Sequence, residues 1–140
     1  QHREHGKLMH EILSRINTAN DVEKAINALC IEGLIDIQEK DSLVYRLRQM
    51  LTDEPVKLWF ATDCKAKTEA TILTPQGQSY RPDRVIIDGN AATVVDFKFG
   101  VPNNSHEVQV NRYASLLRGM GFEKVKGFIW YVDANCVTEL

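Results

Sequence analysis

Two short β-branched runs, Val85-Ile86-Ile87 and Thr93-Val94-Val95, flank Asp88-Gly89-Asn90, and this arrangement constrains the chain more than any other feature. Asp-Gly tolerates the positive φ angles of a tight turn, and branched side chains favour extended backbone, so an antiparallel hairpin is expected. Counted outward from the turn, Asp83 and Asp96 lie at comparable distances along the two strands, so their carboxylates are expected to converge. Residues two apart on a strand share a face, which projects Lys98 beside Asp96.

The hairpin sits in a longer pattern. Apolar residues at Leu8, Met9, Ile12, Leu13 and Ile16 recur at helical spacing from His5 to Ile16. Asn20 or Asp21 reads as the N-cap of a second helix carrying Val22, Ala25, Ile26 and Leu29 and closing near Gly33. A third helix is expected around Asp41 to Leu51, ended by Pro55, whereas Val56 to Ala61 has no clear assignment. The period then changes. Ala70 to Leu73, a turn at Pro75-Gln76-Gly77, Tyr80 to Ile87 and Thr93 to Phe99 read as a three-stranded antiparallel meander. Gly100 to Asn104 is a loop, Ser105 caps a helix running to Gly119 and Gly121, and Val125 to Val132 is a buried strand. The expectation is an α/β chain: a central mixed sheet flanked by helices, with an N-terminal helical segment and one domain over residues 1–140.

Of the 140 residues, 44 % are hydrophobic and 26 % charged, a globular balance. No apolar run approaches the ~20 residues of a membrane span. Cys30, Cys64 and Cys136 are too far apart for local zinc or iron–sulfur spacing and read as isolated thiols of a cytosolic protein. The net charge of −2 does not advertise nucleic-acid binding, although metal-binding carboxylates subtract from any such signal. The chain starts at Gln1 and runs straight into a helical pattern, so it reads as a segment cut from something longer.

Asp96-Phe97-Lys98 alone is compatible with an ion pair on a wet sheet face, and Asp83 after Pro82 with an ordinary turn aspartate. Together they say more. Two converging carboxylates repel and call for a cation, and hard oxygen ligands suit Mg²⁺ or Mn²⁺.

Pro82-Asp83 followed, across a hairpin, by Asp96-Phe97-Lys98 resembles the core of the PD-(D/E)XK nucleases, within them the RecB- and AddA-type C-terminal nuclease domains of helicase-nucleases. Gly6-Lys7-Leu8-Met9-His10 is similar to that group's N-terminal helix motif, whose histidine is a metal ligand. Glu69 stands where the family carries a glutamate, and Gln109-Val110-Asn111-Arg112-Tyr113 matches its Q-x-x-x-Y helix. The likeness spans His10 to Tyr113. Two departures are plain: the four cysteines of the iron–sulfur members are missing, and Phe99 follows Lys98 where many relatives have a small polar residue.

The resemblance implies a restriction-endonuclease-like core and metal-dependent hydrolysis of DNA phosphodiester bonds, with Asp83, Asp96, the Phe97 carbonyl and His10 holding the metal. Lys98 then positions water or stabilises phosphate charge, and Glu69, Gln109 and Tyr113 complete the catalytic set. His10 also reads as a packed helix residue, Glu69 as a solvated one, and Tyr113 as core. Arg81, Arg84 and Arg112 are candidate contacts to the DNA backbone, and His106 reads as a surface cap. The implied partners are single-stranded DNA ends, helicase domains of the same chain and a second subunit, in a bacterial cytoplasm near the nucleoid. No membrane is involved. The alternatives are an inactivated nuclease fold kept for binding DNA or protein, or a stand-alone structure-specific endonuclease.

Overall fold

The computed structural model describes residues 2–63, 65–69 and 71–140, with side chains from residue 4 onward. The thiol at Cys64, the strand start at Ala70 and the imidazole of His2 lie outside the described residues. Cys30 and Cys136 are free thiols. No helix among the described residues is long and apolar enough to cross a membrane. By its internal contacts the chain divides into two compact units, Gln1–Cys64 and Lys65–Leu140.

The first unit is helical: α1 (His2–Ser14), a 3₁₀ turn at Ala19–Asp21, α2 (Val22–Ile31), a second 3₁₀ turn at Ile37–Glu39, α3 (Lys40–Met50) and α4 (Val56–Trp59). The apolar stripes read from the sequence become its core, with Ile12, Leu13, Ile16, Val22, Ile26, Leu29 and Leu47 fully buried. Asp21 does stand at the N-cap of α2, yet its carboxylate turns backwards and accepts the N–H groups of Asn17 and Thr18. Gly33 adopts a left-handed φ of 82°, beyond the reach of most side chains, where the chain leaves α2. Val56 and Trp59 drive a single turn of helix by their burial, an element too short for periodicity to reveal.

The second unit holds β1 (Ala66–Thr68), β2 (Ile72–Leu73), β3 (Ser79–Tyr80), β4 (Arg84–Asp88), β5 (Ala91–Lys98), α5 (Asn104–Gly119), β6 (Lys124–Tyr131) and β7 (Cys136–Glu139). Five strands form one sheet in the order β1-β4-β5-β6-β7, and β2 and β3 form a separate ribbon. Only β5 and β6 run parallel in the five-stranded sheet, joined by α5 as a crossover helix. The chain is thus mixed α/β with a central mixed sheet.

The meander differs from the sequence reading. The strand paired with β4 is β1, upstream of Glu69, not the segment from 70 to 73. The expected strand Tyr80 to Ile87 is split in two, because Pro82 lacks the N–H that a continuous ladder requires. Ser105 is not the cap of α5: Asn103 is, its side chain accepting the Ser105 N–H at 2.8 Å. The strand β7 carries no sequence signal beyond Val137 and Thr138, and it forms as the antiparallel partner of β6.

One face of the sheet packs against α5 through Ala92, Val94, Ile129 and Tyr131 on the strands and Val110, Tyr113, Ala114 and Leu117 on the helix. Gly127 lets the helix come close: a Cβ there would lie 2.9 Å from Val110 Cγ1. That approach sets the height of α5 above the end of β5, and so positions the side chains described next.

Candidate active site

The β4–β5 ladder pairs Asp88 with Ala91 and Arg84 with Val95. Continued past Arg84, the same register sets Asp83 opposite Asp96 and Pro82 opposite Phe97. Directly opposed residues project to one face. This is the face that α5 covers, since Asp96 and Lys98 continue at two-residue steps the row begun by Ala92 and Val94 along β5. The proline ends the ladder, and Phe97 finds another acceptor: its N–H donates to Asp83 Oδ2 at 2.7 Å. A strand residue directs its N–H and C=O to the same side, so the Phe97 carbonyl faces that edge too.

Asp96 is 4 % exposed. Lys98 Nζ lies 2.9 Å from Asp96 Oδ2, close enough for an ion pair, but that oxygen is buried and accepts no hydrogen bond among the described residues. The contact with Asp96 is thus one of charge and proximity, and Lys98 also donates to Gln109 Oε1 at 2.8 Å, its three N–H groups allowing both. Burial, and then the neighbouring Asp83 carboxylate, push the Asp96 carboxyl up to about 7 against the opposing pull of Lys98.

Gln109 is the middle of a chain of contacts. It accepts from Lys98 and donates through Nε2 to the Tyr113 hydroxyl at 3.0 Å. Burial raises the Tyr113 phenol above its ordinary value, as do the charges of Asp96 and Asp83. Tyr113 is core and site member at once: its ring is buried against the sheet and meets Tyr80 edge-on at 6.3 Å, while its hydroxyl faces Gln109. The three elements β4, β5 and α5 thus bring Asp83, Asp96, Lys98, Gln109 and Tyr113 together.

The remaining expected residues belong to other elements or play other parts. Glu69 is exposed, with a left-handed φ of 49°, and its N–H donates to the Asp83 carbonyl, so its backbone touches the site's frame. It follows β1 rather than opening a strand. His10 is half-buried on α1 of the helical unit. Arg84 is fully buried and alternates to the opposite face from Asp83, so it cannot reach a DNA backbone. Arg81 and Arg112 are exposed. His106 is not a cap; it is half-buried with Nδ1 3.1 Å from the Tyr131 hydroxyl. Burial and the charge of Lys98 lower its pKa. Tyr80 and Tyr131 were not legible as site neighbours. The spacing of His106, Gln109 and Tyr113, three and four residues apart on one helix, did contain the signal that His106 faces the same way.

No protein-family model matches the chain, and no curated protein matches it. Among solved structures, one titled "Crystal structure of SSO0001" aligns with 94 % of this chain at 19 % identity and a TM-score of 0.36. The chain spans 64 % of that structure's length. Its title names no activity, and a likeness this slight carries no argument about this chain.

Proposed function

We propose that this chain hydrolyses DNA phosphodiester bonds with the help of Mg²⁺ or Mn²⁺ held by Asp83 and Asp96. The observation that carries the reading is Asp96: a buried carboxylate beside a second acid, so that two acids share one ammonium, Lys98, 2.9 Å from Asp96 Oδ2. Such an arrangement is costly unless a proton or a cation completes it. Among the described residues no three His, Cys, Asp or Glu side chains gather into a cage. Two carboxylates suit the habits of Mg²⁺, which is commonly bound by one or two acids and completed by water and substrate phosphate. The ion supplies charge neutralisation on the phosphoryl group and acidifies water.

The chain's own residues do the rest. Lys98 places a positive charge where phosphate charge develops, and Gln109 holds that ammonium by accepting one of its hydrogens. Tyr113 fixes Gln109 in turn, since it is anchored in the core. The Phe97 carbonyl, on the same edge, is a further oxygen donor. The sequence likeness to helicase-nuclease domains supports DNA as the substrate, delivered as a single strand by attached helicase domains.

Cleavage of an end-labelled single-stranded oligonucleotide in Mn²⁺ tests this. Asp96→Ala and Lys98→Ala should each lose roughly 10²–10³ in rate while melting cooperatively. Wild-type rates from a folded Asp96→Ala protein would sink the proposal.

A further inference from the structure

Beside Lys98, along the first turns of α5, lies a cleft of about 420 Å³. The site described above forms one wall through Lys98, Gln109 and Tyr113, and the other walls come from Tyr80, His106, Val108 and Arg112. Among the described residues no carboxylate lines it, whereas Lys98 and Arg112 both do. The cleft is also half apolar. Val108 is 58 % exposed and Tyr80 offers an aromatic ring. That ring is already ordered: it meets Tyr113 edge-on, donates its hydroxyl to Gln78 Oε1 at 2.9 Å, and carries the Arg112 guanidinium 5.9 Å from its centre.

We infer that this cleft holds a single nucleotide of the substrate, with its phosphate against Lys98 and Arg112 and its base against Tyr80 and Val108. A bare anion would account for the two cations but leave the apolar half without purpose. An uncharged hydrophobic ligand would do the reverse. A nucleotide has both halves, and the volume falls near the lower end of the ~300–1,000 Å³ typical of small-ligand pockets, suited to one nucleotide and not to a duplex. Arg112 is well matched to the phosphate, because its planar fork offers paired donors and its stacking on Tyr80 orders it beforehand. Base stacking on an aromatic ring tolerates any sequence, as a non-specific nuclease requires. The inference deepens the nuclease reading and rests on it for the direction of the strand, since the cleft adjoins the phosphate that Lys98 would face.

The test is a titration of the whole 140-residue chain in EDTA with thymidine 5′-monophosphate, thymidine or inorganic phosphate, followed by amide chemical shifts. Thymidine 5′-monophosphate should give saturable shifts at Tyr80, His106 and Arg112, with thymidine and phosphate each at least about tenfold weaker. Arg112→Ala, an exposed and safely foldable change, should weaken the nucleotide about tenfold and leave phosphate-free thymidine unaffected. Equal affinity for nucleotide and phosphate, shifts confined to another surface, or an unaltered Arg112→Ala titration would each overturn the inference. The two readings fail separately. Nucleotide binding without Mn²⁺-dependent cleavage sinks the nuclease and keeps the subsite; cleavage without nucleotide binding does the opposite.

Discussion

At Asp96 two demands meet: burial disfavours a charged carboxylate, whereas the proposed chemistry needs it ionised. In metal-free protein the consequence is a pH dependence whose sign can be worked out. Its value in the fold, about 7, lies above the ~3.9 of an unfolded aspartate, so the folded state keeps a proton that the unfolded state has lost. Stability from this group is fully present below about pH 4 and is lost as pH rises through about 7. Thermal melts in EDTA at pH 5 and pH 8 should show wild type weakening over that interval more steeply than Asp96→Asn, which has nothing to ionise. Parallel curves for the two proteins would refute the account. Gln109 presents the opposite case, since it is exposed and yet holds the ammonium. Gln109→Ala should alter stability by no more than about 0.5 kcal/mol. Cleavage should still drop roughly 10- to 100-fold, the equivalent of one hydrogen bond to a charged group of ~1.5–3 kcal/mol. A variant cutting at the normal rate would remove Gln109 from the mechanism. These contacts were legible in part: spacing put Asp96 with Lys98 and Gln109 with Tyr113, and that the two pairs meet was implied by the family resemblance rather than by spacing.

The meeting is made by elements, through the approach of α5 to β6 at Gly127. An added methyl there lies 2.9 Å from Val110 Cγ1, and Val110 is fully buried with little room to retreat. Gly127→Ala should therefore destabilise the protein by ~1–3 kcal/mol, as overpacked cores do. Val110→Ala removes the obstructing methyl groups at its own cost in cavity, so the double variant should be less destabilised than the two single changes added together. Chemical denaturation of all four proteins measures the coupling, and simple additivity would show that the contact does not set the helix's position. The elements themselves were read well where hydrophobic periodicity had length to act. The stripes of α1, α2, α3 and α5 and the β4–β5 hairpin at Asp88-Gly89 stand within a few residues of where the sequence put them. Reading failed where a local exception overrode the pattern. Pro82 broke a run of strand-forming residues, Asn103 capped α5 two residues before Ser105, and β1 formed from Ala66-Lys67-Thr68, which acquires strand character only by pairing with β4.

On the scale of the molecule, the division at Cys64 and Lys65 was invisible because it is a property of contacts between distant residues, and no Gly-, Pro- or Ser-rich linker marks it. Net charge was legible from the start, and it bears on how this chain would hold DNA. At −2 overall the net charge does not itself attract a polyanion, so on the proposed reading binding draws on the cations placed around the site. Lys98 and Arg112 line the cleft, and Arg81 is exposed two residues before Asp83; Arg84, although close in sequence, is buried on the other face. Each phosphate neutralised on a single strand contributes about −0.7 to the slope of log affinity against log salt, so three give a slope of about −2. Fluorescence anisotropy of a labelled single-stranded oligonucleotide with metal-free protein, across a salt series, measures it directly. Arg112→Ala should reduce the slope by about 0.7, whereas Arg84→Met, if folded, should leave it unchanged. A slope much steeper than −2 would mean that another surface carries the strand, because the site region does not hold enough positive charge to produce it.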